Sequence, residues 1–244
     1  MPNRRVLILG GTGLARAAAN ALVAGGADVV SSLAGVTRHP HLPAGEIHRG
    51  GFGGVAGLVD YLRADKYDLV VDATHAFAAQ MSAHAAAACG EVRCRLVRLQ
   101  APAWLPQPGD DWRSVSSIAE AVVALPRGAK VAVTVGRKEI VSFFARSDLS
   151  GIARMIEPPP KPGPDAWQVL LERPPFSLAE EIDLLRASDV AFLVSKNAGG
   201  ARVAKLDAAA ALALPVIMVT RPLKPDVATV AQVSELLGIL GVAD

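Results

Sequence analysis

Short apolar runs recur along the chain, and stretches rich in alanine and leucine separate them. Val6 to Leu9 are four large apolar residues in succession. An unbroken run of this kind predicts a strand that is buried on both faces, as in a parallel sheet. Further strands are predicted at 28–33, 46–49, 67–72, 94–99, 130–135, 152–157, 167–171, 190–195 and 216–220.

Helices are predicted between these strands, where alanine, leucine and charged residues dominate. The predicted helices cover 15–23, 55–64, 76–90, 116–124, 201–213 and 229–240. Ser177 and Glu180 have the spacing of a capping box, which predicts another helix start. Strands that alternate with helices indicate an α/β fold with parallel sheets.

A glycine-rich turn follows the first strand. The turn contains Gly10, Gly11, Thr12 and Gly13, and it leads directly into the first helix. In this setting the backbone N–H groups of a helix N-terminus bind phosphate. Gly11 and Gly13 match the first two glycines of G-x-G-x-x-G, whereas Arg16 occupies the third position. We interpret the turn as a phosphate site, and a tight turn without a ligand is the alternative.

The end of the second strand lacks the acidic residue that usually holds the ribose 2′-hydroxyl of NAD. Hydroxyls and a cation are found there instead, from Ser31, Ser32, Thr37 and Arg38. This set suits a 2′-phosphate better than a free hydroxyl, which favours NADP(H). An ordinary surface arginine at position 38 is the alternative.

Four glycines occur among the five residues 50–54. Glycine loses more conformational entropy on folding than other residues, so such a density argues for close approach of a ligand to the backbone. Gly51, Phe52 and Gly53 are therefore candidate cofactor contacts, with Phe52 covering the ligand.

The buried strand at 67–72 is followed by polar side chains. Asp72, Thr74 and His75 lie where the carboxyl ends of parallel strands face the ligand crevice, and they are the candidate catalytic residues. His75 has an unperturbed pKa near neutrality, which suits a proton donor. Water is an alternative donor, and Asp72 or Thr74 could instead cap the following helix.

The segment from Gln100 to Gly109 contains three prolines and Trp104, which is typical of a linker. We therefore predict one domain at 1–100 and a second at 101–244. In the second half, Arg137, Lys196 and Arg221 lie at the ends of successive strands. These cations predict an anion-binding surface, with the ligand between the two domains.

Bulk properties exclude several classes of protein. A net charge of +2 without a basic stripe gives no indication of nucleic acid binding. No apolar run is long enough to cross a membrane, and the first apolar run is too short for a signal peptide. Cys89 and Cys94 lack the pattern of a metal site, so a reduced, cytoplasmic protein without metal is expected.

Several motifs, in one order along nearly the whole chain, resemble the precorrin-6A reductase family of the corrin-ring pathway to cobalamin. The matching segments are Ile8–Thr12 with Ala15 and Arg16, Ser32–Gly35, Gly50–Gly54, Asp72–His75, Phe77 and Ala78, Arg98, Pro102, Trp104, Pro175–Ser177, Lys196 and Asn197, Gly199 and Gly200, Lys205, and Arg221 with Pro222.

This resemblance implies two Rossmann-like domains and NADPH-dependent reduction of one double bond of a polycarboxylate tetrapyrrole-derived ring. It adds Ala34 and Gly35 to the candidate cofactor contacts. It also adds substrate contacts, namely Arg98, Trp104, Asn197, Gly199, Gly200 and Lys205. Neighbouring enzymes of the pathway are candidate partners.

Two other functions stay open from the sequence. One is a different NADP-linked reductase, such as a carbonyl reductase with a Y-x-x-x-K pair. Tyr61 and Tyr67 are the only tyrosines, and neither has a lysine four residues later. The other is a non-catalytic sensor that binds NADP(H) and signals through a partner, which would not need the cations of the second half.

Overall fold

The computed structural model describes residues 4–33 and 42–241. The chain divides into two compact units, one formed by Met1–Pro102 with Leu223–Asp244 and the other by Ala103–Pro222. Each unit contains one six-stranded sheet. All strand pairs in the described residues are parallel, as the unbroken apolar runs predict.

The first unit has the strand order β12-β5-β4-β1-β2-β3. Its strands are β1 (Arg5–Leu9), β2 (Asp28–Leu33), β3 (Glu46–Arg49), β4 (Leu69–Asp72), β5 (Arg95–Leu99) and β12 (Thr229–Val230). Its helices are α1 (Gly13–Ala24), α2 (Gly54–Asp65), α3 (Ala79–Val92) and α8 (Val233–Leu240).

Both faces of this sheet are covered, which explains why its strands carry no polar alternation. Val6 and Ile8 of β1 belong to one apolar cluster, together with residues of α1 and α8. Leu7 and Leu9 belong to a second cluster, together with residues of α2 and α3. Successive side chains of a strand point to opposite faces, so an unbroken apolar run is what two covered faces require.

The second unit has the strand order β6-β11-β10-β7-β8-β9. Its strands are β6 (Trp112–Val115), β7 (Lys130–Thr134), β8 (Ser150–Met155), β9 (Trp167–Leu171), β10 (Phe192–Lys196) and β11 (Val216–Val219). Its helices are α4 (Ile118–Ala124), α5 (Ile140–Phe144), α6 (Leu178–Ala187) and α7 (Ala204–Ala211).

Each sheet reverses its direction of strand addition once. The first sheet grows from β1 through β2 to β3, and the chain then returns to place β4 on the other side of β1. The second sheet does the same between β7 and β10. Ligands of open α/β sheets bind outside the carboxyl ends of the strands at such switch points. The β1/β4 and β7/β10 ends are therefore where functional side chains are expected.

The C-terminal segment belongs to the first unit, in contrast to the predicted second domain of 101–244. Strand β12 pairs with β5 in the register Thr229↔Arg98, and Arg98 donates from NH1 to the carbonyl of Pro225 at 3.0 Å. Leu236 and Leu240 of α8 are buried in the apolar cluster under α1. The segment returns because this face of the first sheet needs its apolar side chains.

Local boundaries also differ from the predicted ones. The helix predicted at 76–90 is α3, and its N-cap is Ala78 without a side-chain hydrogen bond. Neither Asp72 nor Thr74 caps it. The first residues of the helix predicted at 229–240 form β12 instead. Strand β6 and helix α5 had no predicted counterpart. The capping box at Ser177 and Glu180 is present. No helix in the described ranges is both long and apolar enough to cross a membrane.

Candidate functional site

The glycine turn after β1 lies at the switch point of the first sheet. Gly11 has a φ of +106°, which L side chains rarely adopt, so this position requires glycine. Thr12 caps α1 by accepting from the backbone N of Ala15, and its hydroxyl donates to the carbonyl of Ala73, both at 3.0 Å. A Cβ built on Gly11 or Gly13 would have no described heavy atom within 4 Å beyond the chain neighbours. The turn is thus fixed by Thr12, and among the described residues the space at Gly11 and Gly13 is open.

The serines of β2 are buried strand residues. Ser31 is 2% exposed and Ser32 is 7% exposed. The carbonyl of Ser32 accepts from the backbone N of Gly10 at 3.0 Å, so this serine fixes the start of the glycine turn. Arg16 is exposed in the first turn of α1. The remaining predicted contacts of this region lie outside the described residues, and they are Ala34, Gly35, Thr37 and Arg38.

The second glycine loop has the backbone expected of glycine, but its phenylalanine packs inward. Gly53 has a φ of +81°, and Gly51 is exposed. The ring of Phe52 stacks on His48 with centroids 4.6 Å apart and meets the edge of Tyr61 at 4.9 Å. These contacts fix the loop to α2 and β3. The loop's glycines are thus more accessible to a ligand than its phenylalanine.

Asp72 is the centre of a buried polar network at the end of β4. Its carboxylate accepts from the Thr74 hydroxyl at 2.7 Å and pairs with the Arg98 Nε at 3.2 Å. Burial by itself raises the pKa of the Asp72 carboxyl, but hydrogen bonds from the Thr74 and Ser82 hydroxyls oppose it. Together with two cations, Lys224 and Arg98, they hold this pKa below its usual value. Asp72 and Arg98 therefore neutralise each other inside the first unit.

His75 and Lys224 lie at the accessible end of this network. The Lys224 ammonium donates to the carbonyl of His75 and to the Gln100 side chain, each at 3.2 Å, and it lies 3.5 Å from the Thr74 hydroxyl. His75 is exposed, and its Nδ1 accepts from the backbone N of Phe77 at 3.3 Å. When the ring is neutral, its proton is therefore on Nε2.

Trp104 and Asn197 are bound to each other in the second unit. The Asn197 side chain accepts from the backbone N of Trp104 at 2.8 Å and donates to its carbonyl at 2.9 Å. The Trp104 indole donates to the carbonyls of Gly200 and Ala201 at 3.1 Å. Gly199 and Gly200 have φ values of +77° and +84°. These contacts fix the loop that follows β10.

Arg221 follows β11 and binds the same loop. Its Nε donates to the carbonyl of Asn197 at 3.1 Å, and its NH2 donates to the carbonyl of Ala198 at 2.7 Å. Burial lowers the pKa of Arg221. In these two bonds the guanidinium is held by neutral carbonyls.

The β7/β10 switch point carries a further cation and an acid. The Lys196 ammonium donates to the Glu139 carboxylate at 2.7 Å. Glu139 Oε2 lies 2.1 Å from where a Cβ on Gly136 would be, so the close approach of this acid depends on glycine. The Nε of Arg137 is buried and has no hydrogen-bond partner among the described residues. Lys196 is thus a predicted cation with a carboxylate partner, as Arg98 is in the first unit.

Lys205 lies in the first turn of α7, next to the end of β7. Its ammonium donates to the Thr134 hydroxyl at 2.8 Å, and that hydroxyl donates to the carbonyl of Val194 at 3.0 Å. Burial lowers the pKa of Lys205 to about 8, and the charges of Arg154 and Lys196 add to this effect. A helix N-terminus also disfavours a cation. Lys205 thus carries a positive charge in a place that disfavours one.

Together these features define a Rossmann-like α/β protein with two polar strand-end sites, one around an open glycine turn and one rich in cations. No group of three or more His, Cys, Asp or Glu in the described ranges could hold a metal ion.

Comparison with known proteins identifies the family. The model of the family described as Precorrin-6x reductase CbiJ/CobK matches residues 5–240. The chain is 44% identical over 241 residues to a precorrin-6A reductase of Rhodococcus erythropolis, with 97% of each chain covered. It is 43% identical over 225 residues to a precorrin-6A reductase of Rhodobacter capsulatus, which covers 91% of this chain and 89% of that one.

A solved structure agrees with the sequence comparisons. The structure titled CobK precorrin-6A reductase superposes with a TM-score of 0.91 at 40% identity, covering 98% of this chain and 96% of that one. The chain belongs to the precorrin-6x reductase family, a family of oxidoreductases of cobalamin biosynthesis.

Lys224 and Glu139 contact predicted site residues but have no counterpart in the sequence-based prediction. Lys224 is far from Thr74 in sequence and becomes its neighbour only because the C-terminal segment returns. Gly136, next to a strand end, was a usable signal for Glu139, since glycine there indicates a close neighbour.

Proposed function

We propose that the protein uses NADPH to reduce one ring double bond of precorrin-6A, or of its cobalt form, and so produces precorrin-6B. The reaction is an oxidoreduction of a CH–CH group. Family membership supports the substrate class, because the similar proteins carry the name precorrin-6A reductase. The observation that carries the cofactor proposal is the glycine turn at Gly11 and Gly13, which is open and lies at the start of a helix.

In this proposal the first unit binds NADPH, with the pyrophosphate on the turn at 10–13. The conformation of Gly11 and the fixed position of Thr12 fit this group, since backbone N–H groups of the first helical turn lack intrahelical acceptors. Arg16 is exposed in the same turn and adds a positive charge. We expect Arg38 and Thr37 to select the 2′-phosphate, with the backbone of Gly51 and Gly53 as a further contact.

The second unit binds the carboxylates of the substrate. Arg221, Arg137 and Lys205 carry positive charge at strand ends, and the contacts shown for Arg221 and Lys205 are to neutral groups. Charge-assisted hydrogen bonds to carboxylates are the contacts that such cations make best. Trp104, Asn197, Gly199 and Gly200 form the loop that Arg221 holds, and Lys196 adds a cation that Glu139 orients.

Bound NADPH supplies the hydride, and the chain supplies orientation and a proton. His75 is our candidate proton donor, because it is exposed at the end of β4 and an imidazolium can give up a proton near neutral pH. In that acid form Nδ1 is protonated, so its bond from the Phe77 backbone N is broken. Asp72, Thr74 and Arg98 then act as positioning residues, since their network is buried behind His75 and Lys224.

The direct test is anaerobic incubation of the purified protein with precorrin-6A and either NADPH or NADH. We expect loss of the 340-nm cofactor absorbance with NADPH and a product heavier by two hydrogens. The same reaction with cobalt-precorrin-6A identifies the preferred substrate. Tight NADPH binding without oxidation by either substrate would contradict the proposal and favour the redox sensor. Equal kcat/KM values for NADH and NADPH would contradict the assignment of NADPH as the preferred cofactor.

The proton donor has its own test in His75→Gln, with His84→Gln at a half-buried position of α3 as the control. If His75 donates the proton, kcat falls by roughly 10²- to 10⁴-fold, the usual range for general acid catalysis. The fall in kcat that accompanies deprotonation of the donor as pH rises is lost as well. A fall below about tenfold with an unchanged profile would assign the proton to water.

A further inference from the structure

A buried ion pair lies inside the second unit, away from the residues that the proposed function uses directly. Arg154 of β8 contacts Glu181 of α6, with NH2 and Oε1 2.5 Å apart. The two side chains are 9% and 4% exposed. The Phe176 ring covers the guanidinium at 4.1 Å from its centroid. The pair is therefore clamped between a helix, a strand and an aromatic ring.

Such a pair is a poor way to stabilise a fold. Removing both charges from water costs several kcal/mol per ion, and apolar residues of similar volume are often as stable or more so. The surroundings are suited to apolar residues, because Ile152, Leu185 and Leu193 line the same cavity. The charges therefore call for an explanation other than stability.

The cavity is linked to Lys205 through one of its lining residues, Thr134. Thr134 lines it together with Arg154 and Glu181, and the Thr134 hydroxyl accepts from the Lys205 ammonium at 2.8 Å. The charged groups that act on this ammonium are Arg154, Glu181 and Lys196, from β8, α6 and β10. Burial is the largest influence and lowers the pKa of Lys205 to about 8. Arg154 and Lys196 lower it further, and Glu181 opposes them.

We propose that Glu181 and Arg154 are positioning residues for substrate binding, because together they set the charge on the Lys205 ammonium that contacts a substrate carboxylate. Glu181 keeps the ammonium charged near neutral pH, and Arg154 holds Glu181 in place under Phe176. The inference rests on the proposed function for its substrate carboxylate. It adds a pair of buried residues that act through Lys205 and touch no substrate.

The first experiment measures Lys205 without any substrate. Trace acetylation with acetic anhydride across pH 6 to 10, followed by peptide mass spectrometry, gives the titration midpoint of this amine. We expect a midpoint near pH 8 in the parent protein, as its lowered pKa requires. In Glu181→Gln the midpoint falls by roughly half a unit to one unit, because the opposing negative charge is gone.

A double variant tests whether Arg154 shifts the Lys205 midpoint in the direction opposite to Glu181. It also keeps the proposal testable if Glu181→Gln does not fold. Arg154→Gln with Glu181→Gln replaces the pair by neutral amides of similar shape, which avoids an unpaired buried charge. Its midpoint lies above that of Glu181→Gln, because the positive charge of Arg154, which lowers the pKa of Lys205, is gone as well. Asp183→Asn, an exposed change on the same helix, is the matched control and leaves the midpoint unchanged.

The second experiment follows the KM for precorrin-6A against pH. In the parent, KM rises above pH 8 as Lys205 loses its proton. In Glu181→Gln the rise begins at lower pH, and at pH 6 the two proteins have the same KM. A purely structural role for Glu181 would change KM equally at every pH.

The outcomes separate this inference from the proposed function. Equal Lys205 midpoints in the parent and both variants overturn the inference, whatever the activity. Shifted midpoints with a KM that does not follow them overturn the substrate contact at Lys205. An enzyme that does not reduce precorrin-6A, with midpoints shifted as expected, would refute the proposed function while the control of Lys205 by the pair stands.

Discussion

The two units have the same arrangement of five strands around their switch points, but Asp72 and Arg98 of the first unit are held differently from Lys205 and Arg221 of the second. In the first unit Asp72 and Arg98 form a buried ion pair, and their charges cancel. In the second unit Lys205 donates to a hydroxyl, and Arg221 donates to two backbone carbonyls. Burial lowers the pKa of both cations.

We propose that this difference reflects two kinds of ligand site. Where charges cancel, the open backbone of the glycine turn is left to bind, and backbone N–H groups suit phosphate. Where cations are held by neutral groups, the protein keeps a charge that destabilises it until an anion arrives. Such a cost is typical of binding sites, since stability and function compete there. The following predictions test this contrast, from the largest expected effect to the smallest.

The buried ion pair of Asp72 and Arg98 should lose more stability on truncation than an exposed ion pair does. Arg98→Met leaves the Asp72 carboxylate buried without its guanidinium, so we expect the free energy of unfolding to fall by about 3–5 kcal/mol. Urea denaturation measures this change. Arg63→Met, which breaks the exposed pair with Glu91, is the control and costs less than about 1 kcal/mol. Equal losses in the two variants would remove the basis of the contrast.

Removing the charge of Lys205 should stabilise the protein, whereas removing that of Arg98 should destabilise it. Its folded-state pKa lies below the ordinary lysine value, so the charged form is disfavoured by folding below about pH 8. Lys205→Met should therefore raise the free energy of unfolding by about 1–3 kcal/mol at pH 7, while the KM for precorrin-6A rises by roughly 10-fold or more. Lys130→Met, at an exposed lysine, serves as the control. A less stable Lys205→Met protein would show that this charge is compensated.

The glycine turn should lose its ligand without losing its fold. Gly13 is the first residue of α1 and has open space at its Cβ position, so Gly13→Val fits the protein but occupies the proposed pyrophosphate site. We expect the NADPH dissociation constant to rise by roughly 10-fold or more, about 1.4 kcal/mol. Gly90→Val, at an open helical glycine of α3, leaves it unchanged. Calorimetry measures both, and equal affinities would place the phosphates elsewhere.

The smallest expected effect is the change with pH in the stability that Asp72 contributes. The pKa of Asp72 is lower in the folded protein than in the unfolded chain, so its contribution is complete above the unfolded value near 4 and is lost as pH falls through the folded value. Asp72→Asn should therefore be less stable than the parent at pH 7, and the gap should narrow below about pH 4. A gap that stays constant with pH would mean that the Asp72 charge contributes nothing.

Local sequence was sufficient for much of the fold. Val6 to Leu9 predicted a strand with two covered faces, and the two apolar clusters on either side of β1 confirm it. Ser177 and Glu180 predicted a helix start, because both partners of a capping box lie within one turn. The glycine turn could also be located from sequence, since the φ of Gly11 is a local requirement.

The boundaries of some elements and the tertiary partners of some side chains could not be predicted from the sequence. Thr229 and Val230 were assigned to a helix by composition, but they pair with β5, and only the edge of a distant strand selects that conformation. Arg98 was expected to contact substrate, and its pairing with Asp72 could not be found from a spacing of 26 residues. Sequence patterns detect neighbours within one turn of a helix or along one strand. The pairing of β12 with β5 and of Arg98 with Asp72 joins residues from different elements, so no local pattern indicates it.

The sequence by itself determined the parallel α/β class, the order of most elements and the glycine turn, because hydrophobic periodicity and backbone conformation act over a few residues. Only the tertiary structure decided that residues 223–241 complete the first unit, that Lys224 lies beside Thr74, and that Lys205 binds Thr134 near Arg154 and Glu181. The reason is physical. Burial and the summed field of distant charges set the state of an ionisable group, and both exist only once the chain has folded.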